Sequence, residues 1–382
     1  MPLQQRSMND IEQYLENKLA ERRNAGNLRQ LRTAHAEVDF FSNDYLGIAA
    51  NNIINTELIN IGSGSTGSRL LSGNSEATET LESQIAIFQN APAALLFNSG
   101  YNANIGLLVA LANRDTVFLY DELSHASIID GIRLSIAAGK YKFKHNNIAD
   151  LEAKLKNALG KTVFIVVESI YSMDGDAAPL EELCALALKY NAALIVDEAH
   201  GTGVFGKHGE GLVQELNLQH KVFARVHTFG KALGCHGAAV VGSKLLREYL
   251  INFARPFIYT TALPPHAIST ITNAYKYLSS DGFSNAGLHE LIAYFRTKIA
   301  AAKDQDWKDS SSPIQAIIVG GNERTRKLAD TLQQNGLQIQ PILHPTVPIG
   351  TERLRICIHA FNTKAEIDLL FTIINDFLCK EQ

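Results

Sequence analysis

Six short apolar runs, separated by stretches of helical periodicity, constrain this chain more than any other feature. They are residues 94–97, 116–120, 162–168, 193–197, 223–228 and 238–242, and helical patterns such as 180–190 fall between most of them. Runs this short with little polar alternation suit strands covered on both faces, and a strand–helix–strand rhythm builds a mostly parallel sheet flanked by helices. An α/β fold is therefore expected, with ligands gathered at the carboxyl ends of its strands.

Near Asp281, Gly282, Phe283, Ser284 and Asn285 the composition turns loop-like. The pattern beyond changes to helix, strand, helix, strand, helix, with strands at 314–319 and 353–358 and a last helix at 364–379. The expected organisation is an N-terminal helical arm (1–42), a large α/β domain (43–281) and a small α+β domain (282–382). The arm carries Ile11, Tyr14, Leu15 and Leu19 at helical spacing before the polar break 24–27. At 382 residues with 46% hydrophobic and 19% charged side chains, the chain has ample material for a core, which excludes disorder.

The net charge of −4 offers no basic excess to neutralise a phosphate backbone, so nucleic acid is not an expected partner. Cys184, Cys235, Cys357 and Cys379 are scattered without C-x-x-C pairing, which argues against a disulfide framework or a thiolate zinc site. No run approaches the ~20 apolar residues of a membrane span. Residues 1–23 interleave apolar with charged side chains, unlike a signal peptide, so a soluble, cytoplasmic protein is expected.

Four groups of residues sit where such a sheet presents its ligands. The first is Asp197, followed by Glu198, Ala199 and His200. A carboxylate there can hold a cation in a dry pocket with His200 beside it; alternatively Asp197 caps the next helix and His200 satisfies a backbone group. The second is Lys231 in His227-Thr228-Phe229-Gly230-Lys231-Ala232-Leu233-Gly234. Stripped of water, a lysine becomes an amine able to form a Schiff base; at the surface it merely snorkels. The third comprises the glycine and serine tract 62–69 and Asn98-Ser99-Gly100-Tyr101. Helical periodicity after Gly100 places a helix N-terminus where a phosphate can bind, whereas tract 62–69 lacks the ending of a P-loop and reads as a loop. The fourth is His125 in Asp121-Glu122-Leu123-Ser124-His125, whose flat ring can stack on a planar ligand or simply open a helix. No two of His125, His200, His227 and His236 have the spacing of a zinc motif, so no metal is expected.

Taken in order with Ser172, in Tyr171-Ser172-Met173-Asp174-Gly175-Asp176, this set resembles the fold-type I pyridoxal-phosphate enzymes, and among them the α-oxoamine synthases. Asn43-Asp44-Tyr45-Leu46-Gly47, Gly67-Ser68-Arg69-Leu70-Leu71-Ser72-Gly73 and Arg353-Leu354-Arg355 match as well, so the resemblance runs from about residue 43 to 363. It implies pyridoxal phosphate carried on Lys231, which also serves as acid and base at the substrate Cα, and Asp197 keeping the pyridine nitrogen protonated. His125 would stack on the ring, with His200 and Ser172 near its hydroxyl. Gly100 and Tyr101, through their amides, and the Thr228 hydroxyl would bind the phosphate. Thr260 and Thr261 of a neighbouring subunit would reach the same phosphate, implying a homodimer with shared sites. Arg355 would hold the amino-acid carboxylate, Asn43 would also bind the substrate, and Arg29 would lie near the thioester.

The resemblance further implies a decarboxylative condensation of L-alanine with pimeloyl-CoA or a pimeloyl carrier protein. The same chemistry on glycine with acetyl- or succinyl-CoA, or on serine with a long acyl thioester, is the alternative. A binding protein that kept the pocket is disfavoured because Lys231, Asp197 and His125 are all present, and a nicotinamide oxidoreductase lacks its Gly-x-Gly-x-x-Gly turn. The chain departs from the family at three places. Leu343 and His344 precede Pro345-Thr346-Val347-Pro348 where an arginine is common, Thr78 replaces a common histidine, and Gly230 a common serine.

Overall fold

The strand–helix rhythm closes into a seven-stranded sheet. In the computed structural model, which describes residues 8–29, 31, 38–54, 62–302 and 304–380, its strands are β1 (Ala93–Phe97), β2 (Thr116–Asp121), β3 (Gly139–Phe143), β4 (Thr162–Glu168), β5 (Ala193–Asp197), β6 (Ala224–Thr228) and β7 (Ala238–Gly242). Their spatial order is β1-β7-β6-β5-β4-β2-β3, and β7 alone runs antiparallel to its neighbours. The apolar runs follow from burial on both faces: Val163, Ile165 and Val167 of β4 enter one core cluster, while Phe164 and Val166 enter the other. The edge strand β3, with Lys140, Tyr141 and Lys142 at its centre, has no apolar run and escaped the sequence reading.

A second, antiparallel sheet lies in the C-terminal part, with β8 (Ile314–Ile318), β9 (Gln340–Ile342) and β10 (Arg353–Cys357) in the order β9-β10-β8. The cluster that holds Val163 and Val167 continues into Leu354 and Ile356 of β10 and into Leu328 and Leu332 of the helix Asn322–Gln334. Val38–Asp39 pairs in parallel with Leu337–Gln338. Cys357 N donates to Phe40 O (2.8 Å) and Ala360 N to Tyr45 O (2.8 Å). These bonds stitch the segment that precedes the large sheet onto the small one, and so bring Asn43 and Tyr45 beside β10.

The N-terminal helix α1 (Met8–Asn24) leaves Ile11, Tyr14, Leu15 and Leu19 exposed. The chain after it is anchored by Asn322 Nδ2 to Ala25 O (3.2 Å) and by Asn27 Nδ2 to His344 O (3.2 Å). Parts of the expected arm, residues 1–7, 30 and 32–37, lie outside the described residues. Among those described, no helix is long and apolar enough to cross a membrane.

Candidate active site

Parallel register brings the strand ends together. Glu168 lies opposite Asp197 and Asp197 opposite Val226, while Phe97 and Thr228 both pair with Ala238. Helix α2 (Glu76–Phe88) precedes β1, and α3 (Gly100–Leu111) opens three residues after it. Ser99 caps α3 by accepting from Asn102 N at 3.2 Å. A Cβ on Gly100 would drive into Thr228 Oγ1, so glycine alone leaves room between that hydroxyl and the first amides of the helix, at Gly100 and Tyr101. This is a seat for an anion.

Lys231 sits in the nine-residue loop of the β6–β7 hairpin, pinned by Phe229 N to Gly237 O (2.9 Å), Cys235 N to Phe229 O (2.8 Å) and Gly234 N to Lys231 O (2.8 Å). Gly234 at φ +60° and Gly237 at φ +112° permit the tight return. Phe229, Ala232 and Leu233 are buried, so the loop is anchored on either side of the lysine. Its Nζ lies 2.7 Å from His200 Nε2. Burial lowers the amine to about 8, against the opposing pull of Asp197 and Glu168. Burial, and then Lys231 itself, hold His200 well below the ordinary imidazole range. A neutral His200 accepts from the lysine through Nε2 and donates from Nδ1 to Tyr45 Oη at 2.8 Å.

The chain of bonds continues. Tyr45, fully buried, donates to Asn43 Oδ1 at 3.0 Å, and the same oxygen accepts from Arg355 Nη2 at 3.0 Å. Arg355 Nε donates to Ser172 O (2.6 Å) and Nη1 contacts Cys357 Sγ (3.0 Å). Each terminal nitrogen of the guanidinium carries a second N–H. Amine and guanidinium are thus the two ends of one fixed network.

On the other side, Asp197 accepts from Ala199 N (2.9 Å) and from Asn104 Nδ2 (2.7 Å). The His125 ring caps α4 (Ala126–Leu134), accepting from Ser127 N at 3.2 Å, while the His125 backbone N–H donates to Glu168 Oε1 at 2.5 Å. Burial, reinforced by Asp197, pushes Glu168 up to about 8. Burial lowers His125.

The structure brings Lys231, His200, Asp197, His125, Gly100, Thr228, Ser172, Asn43 and Arg355 to the strand ends or to the second sheet facing them. Ser172 enters that network through its carbonyl. The Tyr101 side chain points away from the seat, to Asp130 Oδ2 at 2.6 Å. Thr260 and Thr261 dock on Asn98 of their own chain, whose Nδ2 donates to Thr260 Oγ1 (3.2 Å) and Thr261 O (2.9 Å). Arg29 is exposed in the segment after α1 and takes part in none of these bonds. Sequence reasoning assigned no role to Asn104, Ser127 or Tyr45. A polar Asn104 at the edge of the apolar run 105–111 of α3 was the available signal, since amides are disfavoured in helix interiors without a partner.

The fold agrees with what the chain resembles among known proteins. Residues 36–374 match the family Aminotransferase class I and II, and the chain belongs to it. The 8-amino-7-oxononanoate synthase of Emericella nidulans is 42% identical over 90% of each chain, and that of Methylobacillus flagellatus 36% identical over 94% of this chain and 95% of its own. Within the wider family, then, this chain is a member of the 8-amino-7-oxononanoate synthases. The crystal structure of the Francisella tularensis enzyme of that name superposes with a TM-score of 0.78 at 32% identity, covering 90% of this chain and 98% of the other. A serine palmitoyltransferase solved with PLP gives 0.86 at 27% identity, covering 97% and 98%.

Proposed function

We propose that the chain condenses L-alanine with a pimeloyl thioester, presented by CoA or a carrier protein, to give 8-amino-7-oxononanoate, carbon dioxide and the free thiol, a step of biotin biosynthesis. The observation that carries this reading is the half-buried amine of Lys231, bonded to a neutral His200 and linked through Tyr45 and Asn43 to Arg355. An amine, a carboxylate and an anion seat at the ends of β5 and β6 and the start of α3 are the complement of pyridoxal phosphate, and the residues fit it.

Lys231 would hold the cofactor, and its amine would take and return the proton at the substrate Cα. Its lowered proton affinity suits an acid and base working near neutral pH. Bound there, pyridoxal phosphate supplies an electron sink for the charge left at that carbon. Asp197 keeps a positive ring nitrogen protonated, and His125 covers the ring. The first amides of α3 at Gly100 and Tyr101, with the Thr228 hydroxyl, take the phosphate. Arg355 and Asn43 orient the alanine carboxylate, and Ser172 and His200 border the ring hydroxyl. Arg29 is assigned to the thioester.

A homodimer completes the site in this reading, with Thr260 and Thr261 of a second subunit near the phosphate. The exposed Leu70 and Leu71 and the open apolar stripe of α1 support association. To test the function, the purified protein with pyridoxal phosphate is offered alanine, glycine or serine against acetyl, succinyl, pimeloyl and palmitoyl thioesters, with thiol release followed. Release with alanine and the pimeloyl thioester above every other pair is expected; preference for glycine or serine would overturn the assignment.

A further inference from the structure

Asn104 lies one turn into α3, 2% exposed, and its amide nitrogen touches two groups: Asp197 Oδ2 at 2.7 Å and Ser127 Oγ at 2.9 Å. Ser127 Oγ in turn lies 2.8 Å from His125 Nδ1. An amide nitrogen only donates and an ionised carboxylate only accepts, so the direction of every bond follows. Asn104 gives one proton to Asp197 and the other to Ser127 Oγ. The Ser127 hydroxyl, its oxygen already accepting, turns its proton to His125 Nδ1, which receives the Ser127 backbone N–H as well. Nδ1 is thereby an acceptor twice over, and the neutral ring carries its proton on Nε2. A proton arriving on Nδ1 would face two donors.

We propose that Asn104 is a positioning residue that sets two groups at once: it aims the Asp197 carboxylate, and through Ser127 it locks His125 in the neutral form with the proton on Nε2. This rests on the site reading above and deepens it, because Asp197 is there assigned to the ring nitrogen and His125 to the ring face. One amide then fixes the edge and the face of the ligand together. The same helix supplies the anion seat from its first turn, so ring and phosphate are held by one rigid element. Asn104 touches neither the cofactor nor the substrate in this scheme; it acts through the two residues that do.

The test begins on the cofactor-free protein, where it does not depend on the site reading. His125 is followed by ring-nitrogen NMR of histidine-labelled protein and assigned with His125→Gln. In the parent protein its Nδ1 should have the signature of an unprotonated nitrogen, and the ring should titrate below the other exposed histidines. Ser127→Ala and Asn104→Ala, each verified as folded by circular dichroism, should raise the His125 midpoint by about one pH unit, the equivalent of one lost hydrogen bond. Asn104→Ala should also weaken pyridoxal phosphate binding about tenfold, measured by fluorescence titration, whereas Ser127→Ala should weaken it less. A His125 midpoint unchanged in both folded variants, or an Nδ1–H form in the parent, would overturn the proposal. Failure of the parent protein to take up pyridoxal phosphate would sink the site reading instead and leave the NMR result standing.

Discussion

Lys231 Nζ and His200 Nε2 lie 2.7 Å apart, with a buried tyrosine behind the histidine. Because burial lowers the amine to about 8, a useful fraction is uncharged near neutral pH, unlike a lysine in water. Capture of pyridoxal phosphate by the cofactor-free protein, followed by stopped-flow absorbance, should accelerate about tenfold per pH unit below 8 and level off above it. A rate still climbing at pH 10 would show an ordinary surface amine.

The contact between Gly100 and Thr228 sets the second expectation. A methyl group at 100 has nowhere to go but into the Thr228 hydroxyl. Gly100→Ala should therefore displace that hydroxyl and close the anion seat, raising the dissociation constant for pyridoxal phosphate by about tenfold or more. Equilibrium titration reads the change directly, and binding equal to the parent would remove Gly100 from the seat.

Arg355 carries its donors in a planar fork, which an ammonium cannot reproduce. Arg355→Ala should raise the alanine concentration needed for the spectral change of the holoprotein by about ten- to a hundredfold, the range for a charged hydrogen-bonded pair. Pyridoxal phosphate affinity should change little. An unaltered alanine titration would move the carboxylate site elsewhere.

His145 predicts a pH-dependent stability. Burial on its own would lower this imidazole, but bonds to Asp121 (2.9 Å) and Asp176 (2.7 Å) overcome it and raise the ring to about 10. A group whose affinity for protons is higher folded than unfolded stabilises fully below its unfolded value, about 6.5, and loses that contribution as pH climbs toward 10. The Tm should fall between pH 7 and 10. His145→Gln should begin lower and show a flatter slope over that window; a parallel slope would contradict the assignment.

How much of this was legible without coordinates depended on sequence distance. Lys231, His125 and Gly100 each follow a strand within a few residues and Asp197 closes one, so the strand pattern drew attention to them. Asn104 and Asp197 are 93 residues apart and Tyr45 and His200 are 155 apart, and no local pattern announces a bond across such a gap. Strand β3 was missed because Lys140 and Lys142 flank Tyr141 at a sheet edge, and β9 because it is three residues long and contains Pro341. Asn43 and Arg355 came separately from family resemblance, 312 residues apart, and the structure joins them through a hydrogen bond.

The most direct measurement is chemical. The holoprotein is reduced with borohydride, digested, and the pyridoxyl group located by mass spectrometry. The expected result is a single modified site at Lys231, absent from Lys231→Ala. A pyridoxyl group on any other lysine, or one that persists in the variant, would contradict the placement of the cofactor on which the rest is built.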